Sequence, residues 1–325
     1  MANNRICEIL GIEKPVIQAP LSWLTDAKLV ASVSQAGGLG TLGPNAGLTH
    51  ETSATSPEDR AEKMRSEIIK TKSLTDRPFG VNIIPRPTGD TWTPLIKNVM
   101  KEEGVKVAVY TGDGVDTIMP ALFSELKDAG MKVIYRDCNP TPENTRIAEQ
   151  AGADVIVATG FDEGGTLPGK ALGTFSIVPL IADSVQNVPI LAAGGITDRR
   201  GAHAIYALGA SGVYSGSAFI ATKECRVPQS VKEQIIKATG LDLLLFRTLP
   251  DYYRSLPGKL AEKLVAMDRD GASREKLAKI MNGLTGLRIG MLEGNIDDGY
   301  ISLGTGIGNI HCIKSAAEVV NELAV

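Results

Sequence analysis

A (β/α)8 barrel is the fold that this 325-residue sequence predicts, and three observations predict it. Short, continuously apolar runs of strand length recur eight times, each followed by a stretch with helical periodicity. Glycine is abundant, with 35 residues, as many tight strand–helix turns require. Finally, two late runs end in small residues, Ala193-Gly194-Gly195 and Gly216-Ser217, so that backbone N–H groups gather at adjacent strand ends, where barrels commonly hold a phosphate. An open doubly wound sheet is the alternative arrangement of the same elements.

The predicted strands are Val16–Gln18, Leu39–Leu42, Phe79–Ile84, Val105–Tyr110, Lys132–Arg136, Val155–Ala158, Ile190–Ala193 and Gly212–Tyr214. All are too short and too uniformly apolar for one-sided sheets, which alternate apolar and polar residues; buried parallel strands read this way. Between the first two, Leu29, Val30 and Val33 fall on one side of a helix that Ala36-Gly37-Gly38 terminates. The polar and charged stretch from Thr49 to Asp76 reads as a solvated loop and an exposed helix from Pro57 to Thr71, without a catalytic role. After the eighth run, Ala218 to Thr222 fits the short extra helix of a barrel phosphate site.

From about Arg226 the β pattern stops, and helices are expected over Gln229–Thr239, Leu256–Met267 and Arg274–Met281. The expected organisation is a barrel over 1–225, a helical insertion or lid over 226–290, and a C-terminal segment, 291–325, completing the barrel domain. Gly304-Thr305-Gly306-Ile307-Gly308 follows no clear strand and lacks the spacing of a dinucleotide fingerprint, so it is not read as one.

Thirty-four basic residues nearly balance 37 acidic ones and neither sign is blocked, which argues against nucleic acid or an anionic membrane and for a small-molecule partner. Cys7, Cys138, Cys225 and Cys312 are scattered, without CxxC or histidine at ligand spacing, and read as reduced thiols with no metal site. The first residues lack a signal pattern, and no run approaches the roughly 20 apolar residues of a spanning helix. A cytoplasmic enzyme is expected, and a homodimer stays open. Phosphate loops alone would also suit a sugar-phosphate lyase or isomerase, with Lys106 or Lys132 as Schiff-base lysine, although both lysines open their strands at the wrong barrel end.

Several segments, in this order and spacing, resemble the nitronate monooxygenase (2-nitropropane dioxygenase) family, which includes flavin-dependent enoyl-acyl carrier protein reductases. They are Pro15-Val16-Ile17-Gln18-Ala19-Pro20-Leu21, Ala36-Gly37-Gly38-Leu39-Gly40, Phe79-Gly80-Val81-Asn82, Ala151-Gly152-Ala153-Asp154, the two phosphate loops, and Glu293 through Gly308. The resemblance is weakest over 226–290. It implies FMN, with NAD(P)H as co-substrate. By the same resemblance, Ala19, Pro20 and Leu21 would line the flavin ring and Asn82 would hydrogen-bond the cofactor. Gly160, Gly165 and Ala193 would adjoin it, and Gly194, Gly195, Gly216 and Ser217 would hold the phosphate.

The chain departs from this family at Gly160-Phe161-Asp162-Glu163-Gly164-Gly165-Thr166, where members read G-x-E-A-G-G-H. Thr166 occupies the place of the histidine that acts as a base or proton-handling group, and a threonine hydroxyl donates a hydrogen bond but is no base near neutral pH. Of the other histidines, His50 and His203 read as surface residues, and His311 stays open as one that approaches the barrel mouth. The departure weakens nitronate oxidation more than reduction. The expected function is therefore NAD(P)H-dependent reduction of an activated alkene, enone or quinone, with Thr166 as donor to the acceptor carbonyl and Asp162 or Glu163 shaping the loop. Nitronate oxidation, with reoxidation by oxygen, is the alternative, and a non-catalytic flavin-binding protein is a remoter one.

Overall fold

The computed structural model describes residues 4–325. Eight parallel strands form the barrel: β1 (Val16–Gln18), β2 (Gly40–Leu42), β3 (Phe79–Ile83), β4 (Val107–Gly112), β5 (Lys132–Asp137), β6 (Val155–Thr159), β7 (Ile190–Ala193) and β8 (Gly212–Ser215). Each pairs with its sequence neighbour, and β8 returns to β1, with Val16 opposite Val213. Between β1 and β2 the ring closes through Leu39 N–H to Val16 O and Gln18 N–H to Leu39 O, both 2.9 Å, and through Thr41 N–H to the Gln18 side chain. Closure rules out the open sheet.

The strands are apolar on both faces because both faces are buried. Ile17, Leu39, Val107, Val109, Ile134, Val155, Val157 and Leu191 fill the barrel interior, while alternate residues such as Val16, Val81 and Val133 pack beneath the helices. An N-terminal helix not foreseen from the sequence, Arg5–Leu10, joins the interior cluster through Ile6 and Leu10. Burying such side chains contributes about 1.5–3 kcal/mol each. The Asn4 side chain caps this helix by accepting from the Ile6 N–H, and Gly11, at φ 69°, ends it.

The region after β8 differs from the expected all-helical insertion. Helices Gln229–Lys237, Lys259–Arg269 and Arg274–Met281 are present, but an antiparallel hairpin, β9 (Leu244–Arg247) and β10 (Tyr252–Ser255), lies between the first two. Its two strands are short, and Thr248-Leu249-Pro250-Asp251 interrupts them, so sequence periodicity offered little to detect. One face packs Phe246 against Ala261, Leu264 and Leu277 of the helices that follow. A bridge from Leu167 to Tyr252 ties the hairpin to the loop after β6. The C-terminal helix Ala316–Leu323 packs its buried Val319, Val320 and Leu323 against the helix Ala27–Gln35, and it also touches Arg199–Ala207 and Ser217–Ile220.

Candidate active site

Every barrel strand delivers residues from its C-terminal end to one cavity of about 320 Å³. Its floor is Ala19-Pro20-Leu21 after β1, and its walls include Asn82 on β3, Thr111 on β4, Arg136 and Cys138 at β5, and Gly164–Thr166 after β6. Gly194–Thr197 and Tyr214–Ser217 close the side at β7 and β8, and Leu284 and Leu287 of the insertion and Met291 just after it reach over.

The β7 and β8 loops present backbone donors. The N–H groups of Gly195, Ile196, Gly216 and Ser217 meet no acceptor among the described residues. Gly194 and Gly195 take φ of 108° and 70°, a region other residues rarely occupy. The Gly304–Gly308 segment backs these loops as a 3-10 turn, Thr305–Asn309. There Gly304 N–H donates to Ser217 Oγ at 2.9 Å and the Thr197 hydroxyl to Gly306 O at 2.7 Å. Glycine is required at 306, since an added Cβ would lie 2.2 Å from Gly195 O.

Polar side chains gather on the opposite wall. The Arg136 guanidinium donates through Nη2 to both Glu163 oxygens, at 2.7 and 2.8 Å, and through Nη1 to Cys138 Sγ at 3.3 Å. Burial pushes the Glu163 carboxyl up to about 7 against the opposing pull of Arg136, and it pushes the Cys138 thiol up to about 11. The Tyr214 hydroxyl is buried beside this pair and has no hydrogen-bond partner among the described residues. Asn82 Nδ2 donates to Val109 O at 2.8 Å and to Thr111 Oγ1 at 2.9 Å, which consumes its donors inside the wall.

The loop after β6 is held from three sides. Asp162 accepts from Thr174 N–H at 2.7 Å and from the Thr174 and Thr305 hydroxyls. Gly165 N–H donates to Ser302 Oγ at 2.8 Å, and Arg254, stacked over Phe161, donates to Glu163 O at 2.7 Å. Thr166 Oγ1 lies 2.6 Å from the Tyr253 hydroxyl, and both residues line the cavity.

Of the residues singled out from the sequence, Ala19, Pro20, Leu21, Asn82, Gly165, Thr166, Ala193, Gly194, Gly195, Gly216 and Ser217 all meet at this cavity. Gly160 does not line it. Its N–H bonds to Ala193 O, and a Cβ there would meet Thr174 Oγ1 at 2.3 Å, so this glycine permits close loop packing. His311 is exposed and away from the lining, as are His50 and His203. No lysine lines the cavity; Lys132 opens β5 at the far end and Lys106 precedes β4, which removes the Schiff-base alternative. Arg136, Cys138, Thr111, Tyr214 and Tyr253 were missed. For the first three a signal existed, because polar residues closing apolar barrel strands stand at the active face. Tyr253 gave none.

Fold and cavity define the class first: a (β/α)8-barrel enzyme whose site is built at the C-terminal strand ends. The model of the nitronate monooxygenase family matches residues 3–325, and the chain belongs to that family, as a flavin-dependent oxidoreductase. An octahydro-1H-indene-4-carboxyl-CoA dehydrogenase of Mycobacterium tuberculosis is 30% identical, the alignment covering 98% of this chain and 94% of that protein. A nitronate monooxygenase of Pseudomonas aeruginosa is 32% identical over 71% of this chain and 73% of its own. The structure of FabK from Thermotoga maritima superposes with a TM-score of 0.84 at 31% identity, covering 99% of this chain and 95% of that one.

Proposed function

We propose that this protein is an FMN-dependent reductase that takes electrons from NAD(P)H and reduces a carbon–carbon double bond conjugated to a carbonyl, or a quinone. The residues present fit the cofactor. Unpaired N–H groups at Gly195, Ile196, Gly216 and Ser217 suit a phosphate monoester, and the apolar floor of Ala19, Pro20 and Leu21 suits a flat ring. The orphan Tyr214 hydroxyl and the Arg136 side chain offer donors at the wall between β5 and β8. When bound, FMN supplies two-electron transfer as hydride.

This chain's own groups do the remainder. Thr166 and Tyr253 present a hydrogen-bonded pair of hydroxyls to the acceptor, and Leu284, Leu287 and Met291 line the mouth. The observation that carries the reading over nitronate oxidation is this hydroxyl pair where the family places an imidazole, together with a lining that holds no histidine. Hydroxyls can donate to a neutral acceptor but hold no base near neutral pH, so the pair suits an acceptor to be reduced better than the proton handling of the family's imidazole, although a nitronate, already anionic, does not strictly require a base for electron transfer. Relatives named as a CoA dehydrogenase and as FabK support this side of the family.

The test is anaerobic stopped-flow spectroscopy of the holoprotein with NADH, NADPH and an alkyl nitronate in parallel. Flavin bleaching by a nicotinamide, followed by reoxidation on adding an enone or quinone, is expected. Rapid bleaching by the nitronate with none by either nicotinamide would overturn the reading in favour of nitronate oxidation.

A further inference from the structure

We propose that Tyr253 is the catalytic acid of enone reduction, delivering a proton to the substrate α-carbon and recovering it through the hydroxyl of Thr166. The inference rests on the reductase reading above and adds the source of the second hydrogen, since Thr166 stands where the family's proton-handling histidine would be.

The geometry behind it begins with the hairpin. Tyr252 O accepts from Leu167 N–H at 3.0 Å, and Arg254 Nη1 donates to Glu163 O at 2.7 Å, so both neighbours of Tyr253 tether β10 to the loop after β6. Edge-on packing against Tyr300, with ring centroids 5.8 Å apart at 83°, fixes the Tyr253 ring. Tyr300 is itself anchored by its hydroxyl to Gly283 O at 2.9 Å. The Tyr253 phenol thus stands at the cavity wall, 2.6 Å from Thr166 Oγ1, on an element whose position is set from both sides.

Other donors on the wall are less suited. Arg136 is engaged by Glu163, and the Cys138 thiol is a poor donor. Ser217 and Ser302 hold the backbone of Gly304 and Gly165, and an aliphatic hydroxyl is a far weaker acid than a phenol. Tyr214 is a phenol too, but it lies buried beside Arg136 and Glu163 with no hydroxyl relay. Burial raises the Tyr253 phenol above its ordinary value, which keeps the proton on oxygen until carbanion character develops next to it.

The step balances without a further reactant. Hydride derived from NAD(P)H joins the β-carbon, and the π pair of the double bond moves to the α-carbon and the carbonyl. The Tyr253 O–H bond breaks as the α-carbon–hydrogen bond forms. The phenolate is reprotonated in one concerted relay, taking the Thr166 hydroxyl proton as Thr166 takes one from water. A quinone needs no carbon protonation, because both of its new hydrogens end on oxygens that water can serve.

The experiment reduces holoprotein with dithionite, so that it does not depend on nicotinamide reactivity, and mixes it with an enone or a quinone in D2O. Tyr253→Phe, which keeps the ring packed on Tyr300, should lower the enone-to-quinone ratio of reoxidation rates ~100-fold or more, as expected for loss of a general acid. Wild-type product should carry deuterium on one face of the α-carbon, and the variant's product on both. Thr166→Ser should retain the wild-type ratio, and Thr166→Val should lower it less than Tyr253→Phe does. Tyr253→Phe with an unchanged ratio and one-faced deuteration overturns the proposal while leaving the reductase reading in place. Reduced wild-type protein that no enone reoxidises overturns both.

Discussion

Glu163 is the residue at which this chain departs from its family with the clearest physical consequence, because a carboxylate is buried against Arg136 where the relatives' pattern has a methyl group. Its folded pKa of about 7 lies above the ordinary carboxylate value, so between that ordinary value and about 7 the folded state holds a proton that the unfolded state has lost. Stability contributed by this group is therefore complete at low pH and is lost as pH rises through about 7. Chemical denaturation of wild type and Glu163→Gln across this range should show wild type losing stability relative to the variant as pH rises, and a constant difference above it. A difference that does not change with pH would sink the assignment. Gly216 and Gly194 make a second contrast at this scale. A Cβ at Gly216 meets only the far ends of Leu21 and Ala19, at 3.3 and 3.8 Å, so Gly216→Val should fold and lose FMN, as flavin absorbance after desalting would show. At Gly194 a Cβ would lie 2.7 Å from Thr174 Oγ1 and 2.9 Å from Gly160 O, with φ at 108°, so Gly194→Val should unfold at lower temperature as well.

Among the elements, the C-terminal 3-10 turn matters most for the loops at β7 and β8, since it contributes backbone packing and not chemistry. Asp162 binds Thr305 on one side of this turn, and Gly306 lies against Gly195 on the other. Gly306→Val would force Gly195 away from its position, so equilibrium titration of the apoprotein should show FMN affinity reduced by at least tenfold, a loss of ~1.4 kcal/mol. Affinity equal to wild type would mean that the turn does not position the β7 loop. The same segment shows a limit of sequence reading: Gly304-Thr305-Gly306-Ile307-Gly308 forms a 3-10 turn whose packing role comes from contacts with residues more than a hundred positions earlier. Hairpin β9–β10 is the converse case, with no periodicity to reveal it and with Tyr253 as its contribution to the cavity.

For the whole molecule, a barrel whose eight strand ends all line the same cavity predicts a single flavin mononucleotide there. Denatured, clarified holoprotein should release FMN and no FAD, as chromatography of the supernatant would show; recovery of FAD would refute the phosphate assignment. Among the described residues no helix is long and apolar enough to cross a membrane.

The amino-acid sequence by itself determined the barrel and its phosphate-type loops, because both are written locally. A buried parallel strand is apolar throughout, and a backbone that turns at positive φ favours glycine, as at Gly194 and Gly195, whatever lies elsewhere in the chain. Gly194 and Gly195 were legible for that reason, and Ala19 to Leu21, Gly216 and Thr166 because each sits at the end of a recognisable strand or inside a resembling motif. Only the tertiary structure decided what faces them. Arg136 meets Glu163 across 27 positions and Thr166 meets Tyr253 across 87, pairings that no local pattern encodes. They arise because barrel closure brings all eight strand ends to one rim and because the hairpin is fastened over that rim, so the chemistry of the wall is a property of the closed ring.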